Sequence, residues 1–214
     1  METALQIADE EGVDALTLRH LARKLNSGTA TIYRHFEGRD DLFEQVVDRM
    51  LGEVGDYTSD LEGAGWQEAC RTIAHRMFAV LGRHRGAALL LIKSIPNGPN
   101  SMQQREQGLA ALLNGGLAPA LAARTYATLA RYVLGFAIQL AYQDVQGEDK
   151  DSKEIISAFL KLDRSSFPAL FTVISELPIP LEEEFSFGLE LMISGIESLR
   201  KSKSKKDAKT AKKS

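Results

Sequence analysis

The chain has 214 residues, 44% hydrophobic and 26% charged, which suits a soluble globular protein of one large domain or two modest ones. A single cysteine, Cys70, excludes an internal disulfide, and with an acidic start at Met1-Glu2-Thr3 no signal peptide is expected. The longest apolar run, 87–92, is too short to span a bilayer, so a cytoplasmic protein with no membrane partner is expected.

The net charge of −3 is unevenly spread. Eight lysines and arginines from Arg200 onward, against Asp207, give that tail +7 and leave −10 on the body. Within the body, residues 17–39 carry five basic side chains against Glu37 alone, a local charge that suits nucleic acid.

Helical spacing dominates, and strand alternation is absent. Ala4, Leu5, Ile7 and Ala8 mark a first helix, with Gly12 placed to end it. Thr17 is a good N-cap for a second helix, in which Leu18, Leu21, Ala22 and Leu25 form the apolar stripe. Asn26-Ser27-Gly28 breaks it, and a short third helix carries Ile32 and Phe36. Asp40 and Asp41 open a fourth helix, where an N-terminus favours anions. Further helices are expected near 66–84, 101–114, 119–146 and 181–200, with a shorter one within 152–176. The breaks fall at 95–99, 146–153 and 178–180. The expectation is an all-α protein in three parts. Residues 1–51 form an N-terminal three-helix helix-turn-helix domain, 52–199 a C-terminal helical bundle, and 200–214 a basic, disordered tail.

Residues 17–36 place two short helices around a three-residue polar break, the spacing of a DNA-reading helix-turn-helix. Burying Leu18, Leu21, Leu25, Ile32 and Phe36 leaves Thr29, Thr31, Tyr33, Arg34 and His35 outside the stripe. Hydroxyls, a guanidinium and an aromatic ring suit phosphates and base edges. Spacing alone leaves a merely solvated polar face equally open.

A longer string narrows this. Glu11-Gly12-Val13-Asp14-Ala15-Leu16-Thr17-Leu18-Arg19, Leu21-Ala22, Thr31-Ile32-Tyr33-Arg34-His35-Phe36 and Arg39-Asp40-Asp41-Leu42 together resemble the TetR family of bacterial regulators. The resemblance implies that the third helix enters the major groove with Thr29, Tyr33, Arg34 and His35 on DNA. Arg19 and Arg39 would then clamp phosphates, while Thr17 caps its helix. Two features depart from the family pattern. Asn26-Ser27 replaces its Gly-Val turn, and with only three residues before Ala4 no basic N-terminal arm is expected.

Weaker matches continue towards the tetracycline-repressor branch: Gly65-Trp66-Gln67-Glu68, Arg83-His84-Arg85-Gly86-Ala87, Tyr132-Val133-Leu134-Gly135-Phe136 and Phe185-Ser186-Phe187-Gly188-Leu189-Glu190-Leu191. In that branch the bundle binds an effector and two late helices form a dimer interface. The metal–tetracycline ligands do not carry over. Gly55, Ile73, the Leu90/Leu91 region and Gln139 stand at their apparent positions and offer neither imidazole nor carboxylate. A mostly apolar effector is expected instead, with Ile73, Met77, Leu91, Tyr126 and Gln139 as candidate lining; the same residues also fit a plain core.

Apolar residues wrap nearly all round the last helix, which therefore needs cover on more than one side. A two-fold homodimer would supply it and set two reading helices roughly 34 Å apart. Gly188 and Gly195, two turns apart, would admit a neighbouring helix. The four histidines show no metal-ligand spacing, so no metal, cofactor or catalytic residue is expected. The expected function is a repressor released from double-stranded, palindromic operator DNA by an unidentified small molecule. The alternatives are a sequence-nonspecific architectural DNA binder using the basic tail, and an all-helical small-molecule-binding protein.

Overall fold

The computed structural model describes residues 1–92, 95–146 and 155–211, and every regular element among them is helical. Four helices make the N-terminal part: α1 (Glu2–Glu10), α2 (Leu18–Lys24), α3 (Thr29–Tyr33) and α4 (Arg39–Leu51). Gly12, at φ +86, provides the left-handed turn that ends α1, where a β-carbon would be strained. The Thr17 side chain accepts the His20 N–H at 3.1 Å and caps α2. Asn26 takes the left-handed conformation at φ 48, which asparagine tolerates better than most residues with a side chain. Ala4, Ile7, Leu16, Leu21, Ile32, Leu42 and Val46 meet in one buried core.

Leu25 departs from the expected stripe: its side chain is 46% exposed. Residue 25 is the cap after α2, not a helical position, so the i+7 register no longer applies to it.

Beyond a 3-10 turn, Gly52–Val54, lie α5 (Trp66–Arg83), α6 (Arg85–Ala88), α7 (Pro99–Asn114) and α8 (Pro119–Gln146). Then follow a helical segment at 155–160, called α9, then α10 (Pro168–Val173) and α11 (Leu181–Ala211). Helix α5 packs against α7 and α8, and α11 lies on α5 and α8. Phe185 of α11 is the hub of that layer, stacked on Phe78 with centroids 4.2 Å apart and in edge contact with His75 and Phe136.

Several boundaries moved. The expected 101–114 helix starts at Pro99, which suits the first position because its missing N–H has no intrahelical partner. The single short helix expected in 152–176 is two pieces. Most of the expected polar break at 146–153 lies outside the described residues. Helix α11 runs on to Ala211 and so takes in most of the lysine-rich tail. Lysine and alanine are good helix formers, and extending an existing helix avoids the cost of nucleating a new one.

Candidate functional site

The second and third helices present the polar side chains together on one exterior surface. Ile32 and Phe36 are buried and anchor α3, while Tyr33 is 59% exposed. Arg19, Thr29, Arg34 and His35 are exposed as well, and Thr31 is half-buried. None of these six side chains forms a hydrogen bond or ion pair within the described protein that would hold it away from DNA. The surface offers hydroxyl, phenol, guanidinium and imidazole groups, the usual chemistry for phosphate and base-edge contacts.

Arg39 is placed differently. Its Nε donates to the Leu16 carbonyl at 3.2 Å, and its terminal nitrogen reaches the Val13 and Asp14 carbonyls at 3.1 and 3.4 Å. The guanidinium also covers the Phe43 ring, 4.9 Å from its centroid. Arg39 thereby ties the start of α4 to the loop before α2, a structural role beside the expected phosphate clamp.

A second feature lies inside the bundle. Leu51, Met77, Leu91, Gln104, Arg105 and Tyr126 line a hollow of about 400 Å³ between α4, α5, α7 and α8, of the size that small ligands occupy. A smaller recess continues inward past Ile73, Tyr57 and Leu129 and shares Met77, Gln104 and Tyr126 with the hollow. Burial raises the Tyr126 pKa, opposed by the charge and hydrogen bond of Arg105, and burial likewise raises that of Tyr57. Both phenols are therefore neutral near pH 7 and available for hydrogen bonding.

Four of the five nominated lining residues, Ile73, Met77, Leu91 and Tyr126, meet at these walls. Gln139 does not, and is corrected: it is exposed on α8. It lies thirteen residues after Tyr126, or about 220° around the helix, so it faces away from the hollow. Sequence reasoning missed Gln104 and Arg105. Gln104 had one sequence signal, an amide at helical spacing from the small residues Ser101 and Gly108; Arg105 had none.

Two polar junctions join the bundle to the N-terminal helices. Asp48 of α4 accepts hydrogen bonds from Asn100 N–H and Nδ2 and, at 2.8 Å, from both Ser101 N–H and its hydroxyl. It serves as the N-cap that α7 lacks in its own sequence. Asp9 of α1 accepts the Ala87 N–H at 3.0 Å and contacts His84, fastening α6 to α1.

Residues 1–46 match the family profile described as bacterial regulatory proteins, tetR family. Residues 59–200 match the profile described as the tetracyclin repressor-like C-terminal domain. The chain is 27% identical over 209 residues to the HTH-type transcriptional repressor DrrR1 of Streptomyces coeruleorubidus, covering 93% of this chain and 76% of that one. It is 26% identical over 197 residues to the tetracycline repressor protein class G of Vibrio anguillarum, covering 92% and 90%. Among solved structures, the Streptomyces coelicolor protein ActR in complex with (S)-DNPA superposes with a TM-score of 0.79 at 30% identity, covering 92% of this chain and 94% of that one. ActR in complex with actinorhodin superposes equally well at 29% identity.

Proposed function

Because the chain belongs to the TetR family of bacterial regulatory proteins, a ligand-responsive class of DNA-binding regulators, we propose that it is a repressor. It acts as a homodimer, holds a palindromic operator through α3, and lets go when a small, mostly apolar molecule fills the hollow beside α7. The observation that carries this reading is the Asp48 junction. The helix that bears the α7 wall of the hollow is capped by a residue of α4, the helix that follows directly on the DNA-facing surface.

The energetic requirement is differential binding. An effector releases the operator only in so far as it prefers the released conformation, because equal affinity for both shifts nothing. A ligand in the hollow acts on α7, and α7 bears on α4 through four hydrogen bonds to one carboxylate. The ActR complexes support a small-molecule effector in this fold.

The homodimer is supported by what α11 and its neighbours leave uncovered. Phe187, Leu191 and Leu199 are 69%, 58% and 62% exposed, although Leu181, Phe185, Leu189 and Ile193 on the other side of the helix are buried. Leu160, Phe167 and Val173 of the preceding segment are also exposed. An apolar surface of this kind calls for a partner. Gly195 faces open space and fits that interface. Gly188 does not, since its missing side chain makes room for Tyr132 of the same chain, whose hydroxyl donates to the Phe185 carbonyl at 2.5 Å.

The test is operator retention by purified wild type, Tyr33→Ala and Arg34→Ala, with size-exclusion chromatography as a control. Loss of the retarded complex in both variants, with the dimer intact, is the expected result. Unchanged operator affinity in both would remove α3 as the reading element. In the architectural alternative, removing residues 200–214 abolishes most DNA binding; in this reading the specific site survives the truncation.

A further inference from the structure

The hollow beside α7 is not uniformly apolar, and its polar groups are specific. Gln104 is only 6% exposed, and its Nε2 donates to the Gly55 carbonyl at 2.8 Å. That bond fixes the amide so that Oε1 is the remaining group. Oε1 is buried with no hydrogen-bond partner among the described residues, and Gln104 lines both the hollow and its inner recess. A buried acceptor left unpaired carries a desolvation cost, which a donor entering the site would relieve. Nearby Tyr57 does not meet this need, because its hydroxyl faces the Gln104 backbone carbonyl at 3.4 Å.

The charge of the wall is equally one-sided. Arg105 and Arg131 line the hollow, and no aspartate or glutamate does among the described residues. Among the described residues the Arg105 guanidinium reaches only the Pro96 carbonyl and the Met102 sulfur, each at 3.3 Å, besides its interaction with the Tyr126 phenol. Neither contact neutralises it. Arg105 is half-buried, so an anion beside it would be screened less than at the open surface.

We propose that the ligand of this hollow is an aromatic or alicyclic acid carrying a hydroxyl group: an apolar ring body, a hydroxyl that donates to Gln104 Oε1, and an anionic group that pairs with Arg105. This rests on reading the hollow as the effector site, and it names the chemical class that site selects. The ring body lies against Met77, Leu81, Leu91 and Leu134. The recess, with space of about 20 Å³, takes a single hydroxyl-sized group. A site built to hydrogen-bond a hydroxyl rejects the analogue without it far more strongly than a purely apolar pocket would.

Three probes test the class by calorimetry on the full chain: hydroxynaphthoic acid, naphthoic acid and naphthol. Hydroxynaphthoic acid binds most tightly. Loss of the hydroxyl or of the carboxylate each weakens binding roughly tenfold. In Gln104→Leu the two acids become equal, and in Arg105→Met the carboxylate no longer matters. The comparison of probes on the unaltered protein stands even if Gln104→Leu folds poorly. Equal affinity for all three, no binding by any, or a hydroxyl preference that survives in folded Gln104→Leu overturns the proposal. Operator retention in the same titrations keeps the two readings apart. Probes that release DNA without preference overturn the class and keep the effector reading. Probes that bind with the predicted preference yet leave the operator bound support the class and count against the effector reading.

Discussion

His84 at the start of α6 holds Asp9 of α1 at 2.7 Å through Nδ1, while its Nε2 lies 2.9 Å from Glu53 just beyond α4. One imidazole thus joins three elements. Arg49 reaches the other Glu53 oxygen at 3.2 Å, Arg83 reaches the same one as His84 at 3.5 Å, and Glu2 pairs with Arg49 at 2.6 Å.

This cluster should make stability depend on pH in a defined direction. Burial of the imidazole disfavours its charge, but hydrogen bonds to Asp9 and Glu53 outweigh that and raise its pKa above 6.5. The hydrogen bond from His84 in turn lowers the Glu53 pKa, against burial. A raised folded pKa means the stabilisation is complete below the unfolded value and fades as pH rises through the folded one. The melting temperature of wild type should therefore exceed that of His84→Gln by more at about pH 6 than at about pH 8.5. A gap that is the same at both values would show that the imidazole acts here only as a neutral hydrogen-bonding group.

Gly86, two residues on, is expected to tolerate no side chain. A β-carbon there would overlap the Ala8 carbonyl, a backbone atom that cannot swing aside. Gly86→Ala should cost about 2 kcal/mol or more of stability by forcing α1 and α6 apart. Chemical denaturation compares it with Gly135→Ala, where a β-carbon meets nothing, as the control for adding a methyl group.

Asp48→Ala should separate stability from response. Losing an N-cap costs about 1 kcal/mol, and the α7 amides it satisfied are part-buried, which adds to the loss. If α7 signals through this carboxylate, Asp48→Ala still binds a ligand of the hollow but needs more of it to release operator. An unchanged ratio of ligand affinity to release concentration would place the coupling elsewhere.

Much of this architecture was legible in the sequence, for physical reasons. Leu18, Leu21 and Ile32 are buried as their spacing requires, because a short amphipathic helix has only one face to give to the core. Met77 and Tyr126 fall on the hollow because both stay in register within long helices. The failures have a common origin where register or neighbours are not local. Leu25 lies one residue past the end of its helix, and Gln139 lies on the correct helix but the wrong side. The four-residue α6 is too short to show any period, and its position depends on Asp9 and Gly86. Gln104 stands at helical spacing from Ser101 and Gly108, but its place at the hollow depends on Gly55, distant in sequence, whose carbonyl accepts from its amide nitrogen.

The two arginines expected to clamp phosphate should behave differently. Arg39 spends its guanidinium on the Leu16, Val13 and Asp14 carbonyls, so Arg39→Ala should lower the melting temperature as well as operator affinity. Arg19 is exposed and makes no such bonds. Arg19→Ala should leave melting unchanged and lower by roughly one the slope of log affinity against log salt, the change expected for one lost phosphate contact. Fluorescence anisotropy over a salt series, with parallel thermal melts, measures both. Equal melting losses would show that Arg19 is structural too.

The dimer surface gives the last expectation. Leu191 is exposed on α11, one turn from Phe187, while Glu190 turns aside to form a two-pronged pair with Arg71 at 2.7 and 2.8 Å. That pair lies on the protomer's own surface and is solvent-screened, so it adds little to stability. Burial of Phe185, Leu189 and Ile193 is what orients α11 and leaves Leu191 facing outward. Leu191→Glu places a charge in the proposed apolar seam and should shift the protein to monomer while leaving helix content unchanged. Operator affinity should fall with it, because two half-sites are then no longer held by one molecule. Sedimentation velocity resolves the species, and a variant that stays dimeric with full operator affinity would move the interface off this face of α11.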